Sequence, residues 1–329
     1  MPNKPKVVII GGGTGSYTLL KDLKNLPINI SAIVNMSDNG GSTGILHDEL
    51  GVLPPGDIRQ CLVALSTDPE IRELFNYRFE SGSLKGQSLG NIILSGLSLK
   101  FDNFAKAIEI SSKILQIKGR VIPITLDHHT LYLKDGISVI CGEKNITNHR
   151  FINKSVTLYH QPKTTINPLA RQAINQANII VIAPGNLFSS LLPILTVDNV
   201  AKIIKNSKAK IILVTNLVTK PGQTDNWSVK DYIDIFEKYL GKSRLDYVLY
   251  NTKLPTNIIL KSYAKEDEHP VKIDLKNLQD VKAKLIAGNF LSNEIKIQNP
   301  VDLIARTLIR HNGKKISKVI TKILGENLN

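Results

Sequence analysis

Short apolar runs alternate along the chain with segments whose apolar residues recur every three or four positions. Turn residues follow each run, which is typical of a buried strand, and the runs cover residues 6–10, 30–36, 179–183, 210–215 and 246–251. Helical spacing is clearest over residues 16–26, 167–176, 197–206 and 229–240. Strands that alternate with helices form a mainly parallel sheet covered on both faces, so the pattern predicts an α/β fold.

The pattern changes between the second and third of these strands. Helical spacing over 57–66, 69–79, 91–99 and 103–117 predicts a helical insertion at about residues 57–117. Short apolar runs at 120–125, 130–133, 137–141 and 155–159, with turn signals between them, predict a small antiparallel element at about residues 120–160. Because no repeat or low-complexity linker interrupts the sequence, we expect residues 1–329 to form a single domain.

Composition bounds the class of protein. The 329 residues are 42% hydrophobic, enough for a substantial core. The two cysteines cannot form a disulfide framework, the apolar run at residues 7–10 is too short for a signal peptide, and no stretch approaches the length of a membrane span. We therefore expect a cytoplasmic protein without a membrane span.

The formal charge of +14 favours polyanionic ligands, but its distribution argues against nucleic acid as a partner. The lysines are spread along the whole chain, and aromatic residues, which would stack on bases, make up only 5%. The densest basic stretch, residues 306–322, has apolar positions at helical spacing: Leu303, Ile304, Leu308, Ile309, Ile316, Val319, Ile320 and Ile323. It predicts amphipathic helices that dock by one face, with a membrane-surface role as the alternative.

A glycine-rich loop follows the first predicted strand and leads directly into a helix. Glycines let backbone N–H groups approach a phosphate closely, and the helix N-terminus adds a partial positive charge. The serine at its sixth position departs from the dinucleotide fingerprint, and the loop lacks the lysine of a P-loop. We expect phosphate binding here, against the alternative of a tight turn without a ligand. The candidate residues are Gly11, Gly12, Gly13, Thr14, Gly15 and Ser16.

A second loop rich in glycine and hydroxyl residues follows the second strand. Because both loops belong to the same sheet edge, we expect them to share a ligand, although an ordinary Asx turn would have the same composition. The candidates are Ser37, Asp38, Asn39, Ser42, Thr43 and Gly44. Beyond it, Asp57 begins a helix and Arg59 follows; Asp57 with Gln60 also fits an N-terminal capping box.

Polar residues after the later strands complete the edge. Gly185 and Asn186 follow the third strand, and Asn216 and Thr219 follow the fourth. Asn and Thr suit hydrogen bonds to a base, ribose or sugar, although each is equally typical of a loop. The histidines show no metal-like spacing and no hydrolase motif is present, which disfavours hydrolytic classes.

Five strings in order resemble the YvcK-like gluconeogenesis factors of the CofD superfamily. They are VVIIGGGTGSYTLLKDLK, VNMSDNGGSTGILHDELGVLPPGDIRQCLVALS, FNYRFESGSLKGQSLGNIIL, APGNLFSSLLPIL and VTNLVTKPGQTD, from Val7 to about Arg306. The resemblance implies a Rossmann-like three-layer α/β/α fold, binding of a UDP-sugar such as UDP-N-acetylglucosamine, and a role in cell shape or carbon-metabolism control. It adds Asn91, in the LGN stretch, and Tyr263, in KSYAKE, to the candidate site.

The CofD branch implies a different function, a phospholactate-type transferase that uses magnesium, for which Asp38 and Asp57 are the candidate ligands. This chain has Asn39 where the family usually has a second aspartate, and Gln87 where it often has histidine. Losing a carboxylate weakens a magnesium site, and losing an imidazole removes an acid or base. We therefore favour a nucleotide-sugar-binding regulator, with a possible protein partner or homo-oligomer, over the magnesium-dependent transferase. An NAD-dependent oxidoreductase fits the multiple glycine loops poorly.

Overall fold

A parallel sheet of seven strands organises the computed structural model, which describes residues 4–153, 155–293 and 308–328. The strand order is β10-β9-β8-β7-β1-β2-β3, and every neighbouring pair is parallel. The strands of both sheets are β1 (Lys6–Gly11), β2 (Asn29–Val34), β3 (Arg120–Pro123), β4 (Thr130–Asp135), β5 (Ser138–Cys141), β6 (Thr157–Gln161), β7 (Ile179–Ile182), β8 (Lys210–Val214), β9 (Tyr247–Asn251) and β10 (Lys284–Gly288).

Helices flank this sheet, which confirms the predicted mainly parallel α/β/α architecture. They are α1 (Gly13–Leu23), α2 (Gly41–Leu50), α3 (Gly56–Leu65), α4 (Pro69–Asn76), α5 (Leu89–Phe101), α6 (Phe104–Ile114), α7 (Glu143–Asn148), α8 (Pro168–Gln176), α9 (Leu192–Thr196), α10 (Val200–Asn206), α11 (Val229–Leu240), α12 (Asn257–Lys265) and α13 (Gly313–Leu328). A π-helix, Leu187–Leu191, precedes α9.

The central strands read as continuous apolar runs because helices cover both faces of the sheet. Ile9 of β1 is fully buried, and Ile182 of β7 is 1% exposed. Burial of each such side chain contributes about 1.5–3 kcal/mol relative to exposure. The middle of the sheet is therefore well packed, and it holds the loops that follow its strands in place.

The strand order reverses between β1 and β7. The chain runs outward from β1 through β2 to β3, returns to the centre at β7, and then runs outward again to β10. The connections leaving β1 and β7 therefore depart to opposite sides, which leaves a crevice at the carboxyl ends of these two strands. Ligands of open α/β sheets bind in such crevices.

A second, antiparallel sheet has the order β5-β4-β6 and confirms a small β element in this part of the chain. The run at residues 120–125, which we predicted to belong to it, instead forms β3 and pairs parallel with β2 in the main sheet. A four-residue apolar run carries no signal for the direction of its partner, so the pattern could not separate the two sheets.

Other elements also differ from the sequence prediction. Helix α2 begins at Gly41, within the stretch that we predicted to be a loop. α12 and β10 follow β9, where no element was predicted, and the pairing of β10 with β9 extends the sheet. Of the basic C-terminal stretch, Leu303 and Ile304 lie outside the described residues.

α13 is amphipathic, as predicted for the basic stretch, and it packs against α1. Ile316, Ile320 and Ile323 are buried on its inner face. Among the described residues no single helix is long and apolar enough to cross a membrane. The segments Leu187–Thr196 and Val200–Asn206 meet that test only as a pair, with a 77° bend between them.

Candidate functional site at the carboxyl edge of the sheet

Two glycine-initiated helices begin at the crevice. The residue before α1 is Gly12 and the residue before α2 is Gly40, and a glycine has no side chain with which to cap the helix that follows it. By contrast, α4, α6 and α8 are capped by the side chains of Asp68, Asn103 and Asn167. A helix start without a side-chain cap keeps backbone N–H donors that can satisfy an anion. The two predicted phosphate loops therefore share one sheet edge and one kind of chemistry.

Asp57 lies against the first glycine loop. A Cβ built on Gly12 would come within 2.9 Å of Asp57 Oδ2, and one built on Gly13 would collide with Asp57 Oδ1. Asp57 sits inside the first turn of α3, which begins at Gly56 after Pro55, and it does not cap that helix. The capping-box prediction for Asp57 is therefore wrong, because the N-cap residue of α3 is Pro55, two residues before Asp57.

Gln60, the other member of the predicted box, also faces the loop. Its Oε1 accepts a hydrogen bond from Thr14 Oγ1 at 3.2 Å. The first turn of α3 therefore presents both a carboxylate and an amide to the start of α1.

Asp38 closes the second loop on itself. Its Oδ1 accepts the N–H of Gly40 at 2.9 Å, which is the Asx turn considered from the sequence. A Cβ on Gly56 would lie 3.1 Å from Asp38 Oδ2 and would overlap the Thr43 hydroxyl. Asp38 thus approaches the Gly56 turn, and Asp57 is the next residue of that turn.

A carboxylate that the sequence analysis missed, Glu143, joins this edge. Burial, and then the charge of Asp38, raise the pKa of Glu143 to about 7, against hydrogen bonds from Ser189 and Thr147. Glu143 begins α7, and Asn39 fixes that start because its Oδ1 accepts the Lys144 N–H at 2.8 Å. The sequence offered only the pair Gly142-Glu143 as a turn, and nothing in it linked that turn to the second loop 105 residues away. A carboxyl with a perturbed pKa in a cleft is typical of functional sites.

The loop after β7 is clamped to its neighbours. A Cβ on Gly15 would coincide with the Pro184 carbonyl oxygen, so α1 approaches this loop as closely as its backbone allows. Asn216 Oδ1 accepts the Gly185 N–H at 3.1 Å, and Asn216 Nδ2 donates to the Gly185 carbonyl at 2.9 Å. Asn216 therefore positions the loop with both ends of its amide.

The π-helix follows this loop directly and is hydrogen-bonded to the neighbouring elements. Asn35, just past β2, donates from Nδ2 to the Ser189 carbonyl at 3.1 Å. Asn186 Nδ2 donates to Thr147 Oγ1 at 3.3 Å, and Thr147 donates to the Ser189 hydroxyl at 2.9 Å. Such π-turns frequently occur at functional sites.

Three buried polar atoms around the crevice have no hydrogen-bond partner in the part of the chain that the structure describes. They are Ser16 Oγ, Asn35 Oδ1 and Asn186 Oδ1. Ser16 is 1% exposed and Asn35 is 2% exposed. An unsatisfied buried polar group costs about 1–3 kcal/mol, and such groups concentrate where a ligand or bound water completes the hydrogen bonding.

Arg59 and Asn91 form a buried polar network under the second loop. Arg59 Nε donates to Asn91 Oδ1 at 2.9 Å, Asn91 Nδ2 donates to Ser42 Oγ at 3.1 Å, and Ser42 Oγ donates to Gln87 Oε1 at 2.6 Å. Arg59 is only 5% exposed. The network fixes the first turn of α2 and gives Gln87 a structural role in this chain.

Thr219 and Tyr263 lie apart from the glycine loops. Thr219 exchanges two hydrogen bonds with His269, at 2.8 and 3.1 Å. The Tyr263 hydroxyl accepts the Ile309 N–H at 3.0 Å, and its ring packs in a separate cluster with Ile259 and Ile309. A small cleft beyond β8 and β9 is lined in part by Asn216, Asn251 and Ile309.

The carboxylates suit a shared metal ion better than an all-protein metal cage. The described residues contain no cluster of three or more His, Cys, Asp or Glu side chains arranged to hold a metal. Magnesium usually binds one or two carboxylates together with ligand phosphates and water, and Asp38 and Asp57 fit that mode.

The doubly wound sheet and its switch-point crevice place this chain among the doubly wound α/β proteins, whose ligands bind in such crevices. Residues 7–291 match the model of the family described as 2-phospho-L-lactate transferase CofD. The chain belongs to the CofD family.

Relatives of nearly equal length agree. A Listeria monocytogenes protein named gluconeogenesis factor is 37% identical, with 99% of this chain and 98% of that protein covered. A Thermotoga maritima protein is 42% identical over 97% of this chain and 99% of its own length. A Bacillus halodurans protein of known crystal structure superposes with a TM-score of 0.87 at 35% identity, covering 97% of this chain and all of that one. This chain is therefore similar throughout to the gluconeogenesis factors.

Proposed function

We propose that the protein binds a nucleotide sugar of the UDP-N-acetylglucosamine type and acts as a regulator of carbon metabolism and cell shape. The observation that carries this proposal is the pair of helix starts whose N-cap residues are glycines: α1 follows β1 at the switch point, and α2 follows the neighbouring strand β2. Two such starts supply separate sets of N–H donors, one for each phosphate of a diphosphate. The similarity to gluconeogenesis factors supports the regulatory role.

The remainder of the ligand requires hydroxyl donors, because carboxylates line the site. Asp38, Asp57 and Glu143 would repel a bare diphosphate, but they accept hydrogen bonds from the hydroxyls of a ribose or a hexose. The unpartnered Asn35 and Asn186 oxygens are further acceptors. A ligand with phosphates at one end and sugar hydroxyls beside them fits this distribution better than a simple phosphoester.

Asn216 contributes to binding by holding the Gly185 loop in place, and Thr219 and Tyr263 hold the segments behind it. In this proposal none of the three has to touch the diphosphate. A regulatory role further implies a protein partner, and a homo-oligomer and a cytoplasmic location remain part of the proposal.

A magnesium-dependent transferase of the phospholactate type is the second candidate. It is favoured by the family model and by the approach of Asp38 and Asp57 to the same turn. Bound there, magnesium would neutralise charge on a transferred phosphoryl group. This chain's own contribution would be the carboxylates that hold the ion and the helix starts that orient the phosphates. Asn39 opposes this candidate, because its side chain is engaged by Lys144 and adds no negative charge.

A thermal-shift panel of UDP-sugars, GDP, NAD and ATP, with magnesium or with EDTA, separates the candidates. A regulator should be stabilised by a UDP-sugar, with the ligand recovered unchanged after incubation. Magnesium-dependent consumption of a nucleotide-linked substrate would put the transferase first, and the absence of a shift with every nucleotide would exclude both.

A further inference from the structure

A basic cleft lies at the amino edge of the sheet, the edge opposite the glycine loops. It has a volume of about 760 Å³, within the range of about 300–1,000 Å³ that is usual for small-molecule sites. Its cations come from the start of β1, the end of α1 and the start of β3: Lys4, Lys6, Lys24, Lys118 and Arg120. The described residues that line it include no Asp or Glu.

The five cations of the cleft form no ion pair with the described residues. Of the ion pairs formed among residues 4–153, 155–293 and 308–328, none involves a cation of the cleft, whereas eight other Lys and Arg side chains are paired. Two of the ammonium groups are held in place by neutral acceptors. Lys6 Nζ donates to Gln176 Oε1 at 2.9 Å, and Lys24 Nζ donates to the Ser66 carbonyl at 2.5 Å.

The concentration of like charge has a measurable cost. Burial lowers the pKa of Lys24, and the positive charges of Arg72 and Lys118 lower it further, while Asp22 acts in the opposite direction. An anion in the cleft would relieve this repulsion. Five cations match the charge of about three phosphoryl groups, since each group carries about −1.5 to −2 at neutral pH.

We propose that this cleft binds a small anion that carries two or more phosphoryl groups, at a site separate from the crevice. The six residues of β1 place the two sites about 17 Å apart. Lys6 begins β1, and Lys24 follows the last residue of α1, while the glycine loop joins the other ends of these two elements. An anion that bridges Lys6 and Lys24 would therefore tie together the strand and the helix that carry the glycine loop.

The test uses inorganic pyrophosphate and the Gly13→Val variant of the whole chain, in which the glycine loop cannot hold a phosphate. Titration calorimetry is performed on this background with Lys118→Gln/Arg120→Gln added, and with Lys202→Gln/Lys208→Gln as a control. The control removes the same charge from exposed lysines that are not in the cleft. Pyrophosphate should bind, the cleft variant should lose at least tenfold in affinity, and the control should change less than twofold.

Other outcomes overturn the proposal. Equal weakening in the two double variants would mean that only net charge matters. No binding at millimolar pyrophosphate would remove the site, and binding of a polyglutamate peptide in place of pyrophosphate would make the cleft a protein-docking surface.

A second measurement locates the bound pyrophosphate. Backbone amide shifts at Ile30 and Gly119, without shifts at Gly11 to Ser16, would support binding in the cleft and not in the glycine loop.

Discussion

Asn216 and Gly185 exchange two hydrogen bonds, so one side chain at the end of β8 holds the loop that leaves β7. The Asn216→Ala variant leaves both Gly185 backbone groups without these partners. We expect it to lower the free energy of unfolding by about 1–3 kcal/mol and the melting temperature by a few degrees. Nucleotide-sugar affinity should fall as well, because the loop borders the crevice.

Calorimetric unfolding and ligand titration check this prediction, with Asn206→Ala at the exposed end of α10 as the control. Asn216→Asp should destabilise the protein too, because this variant keeps the acceptor for Gly185 N–H but places a carboxylate oxygen against the Gly185 carbonyl. An Asn216→Ala protein of wild-type stability would show that the clamp contributes nothing.

Gly13→Val should abolish nucleotide-sugar binding while the protein still folds. The added side chain would occupy the space of the Asp57 carboxylate and the Gln60 amide, both of which are ends of side chains that can rotate away. The backbone N–H groups of α1 would then be shielded from a phosphate. Gly96→Val, at an open position of α5, is the matched control and should keep full affinity. Retained affinity in a folded Gly13→Val protein would move the phosphate site elsewhere.

Glu143 gives the protein a defined pH dependence. Its pKa in the folded state, about 7 against a usual 4.5, means that folding disfavours its ionised form. The contribution of Glu143 to the free energy of unfolding is therefore fully present below about pH 4.5, and it is lost as the pH rises to about 7. Glu143→Gln should therefore gain stability relative to the wild type over this interval, by up to about 3 kcal/mol.

Denaturant unfolding of the two proteins at several pH values measures that difference. Asp38→Asn should reduce it, because the charge of Asp38 is the second cause of the raised pKa. A difference between wild type and Glu143→Gln that stays constant with pH would show that Glu143 titrates normally.

Magnesium separates the regulator from the transferase. If Asn39 and Gln87 belong to a site that needs no metal, UDP-N-acetylglucosamine should stabilise the protein equally with magnesium or EDTA, by about 2.7 kcal/mol at one hundred times Kd. Asn39→Asp with Gln87→His should change magnesium dependence more than nucleotide affinity, since the added carboxylate acts on the ion while the backbone N–H groups still hold the phosphates. The carboxylate at position 39 could still accept the Lys144 N–H, so the start of α7 should be kept. Magnesium-dependent turnover by the unmodified protein, lost in Asp57→Asn, would contradict the regulatory proposal.

The sequence predicted the parts of the fold that local pattern determines. The apolar run ahead of Gly11 places β1 correctly, whereas α1 begins at Gly13, three residues before the helical spacing predicted. The direction in which β3 pairs and the docking of Glu143 beside Asp38 depend on contacts between residues distant in sequence. No local pattern records such contacts.

The same limit explains the roles assigned to single residues. Asn216 and Asn39 are of a residue type that often contacts ligands, but in the structure their side-chain amides hydrogen-bond to the backbone of Gly185 and Lys144. A polar residue at a strand end can bind a ligand or hold the loop that binds it, and only three-dimensional position distinguishes the two.

The contact between α1 and α13 means that α13 helps to hold the helix that begins at the glycine loop. The close approach of Gly313 to Asp22 and to the Thr18 carbonyl leaves no room there for a side chain. Truncation ahead of Gly313 would expose one side of the helix whose other end faces the phosphates. Ligand affinity in this protein should therefore respond to substitutions in α13 that loosen its contact with α1.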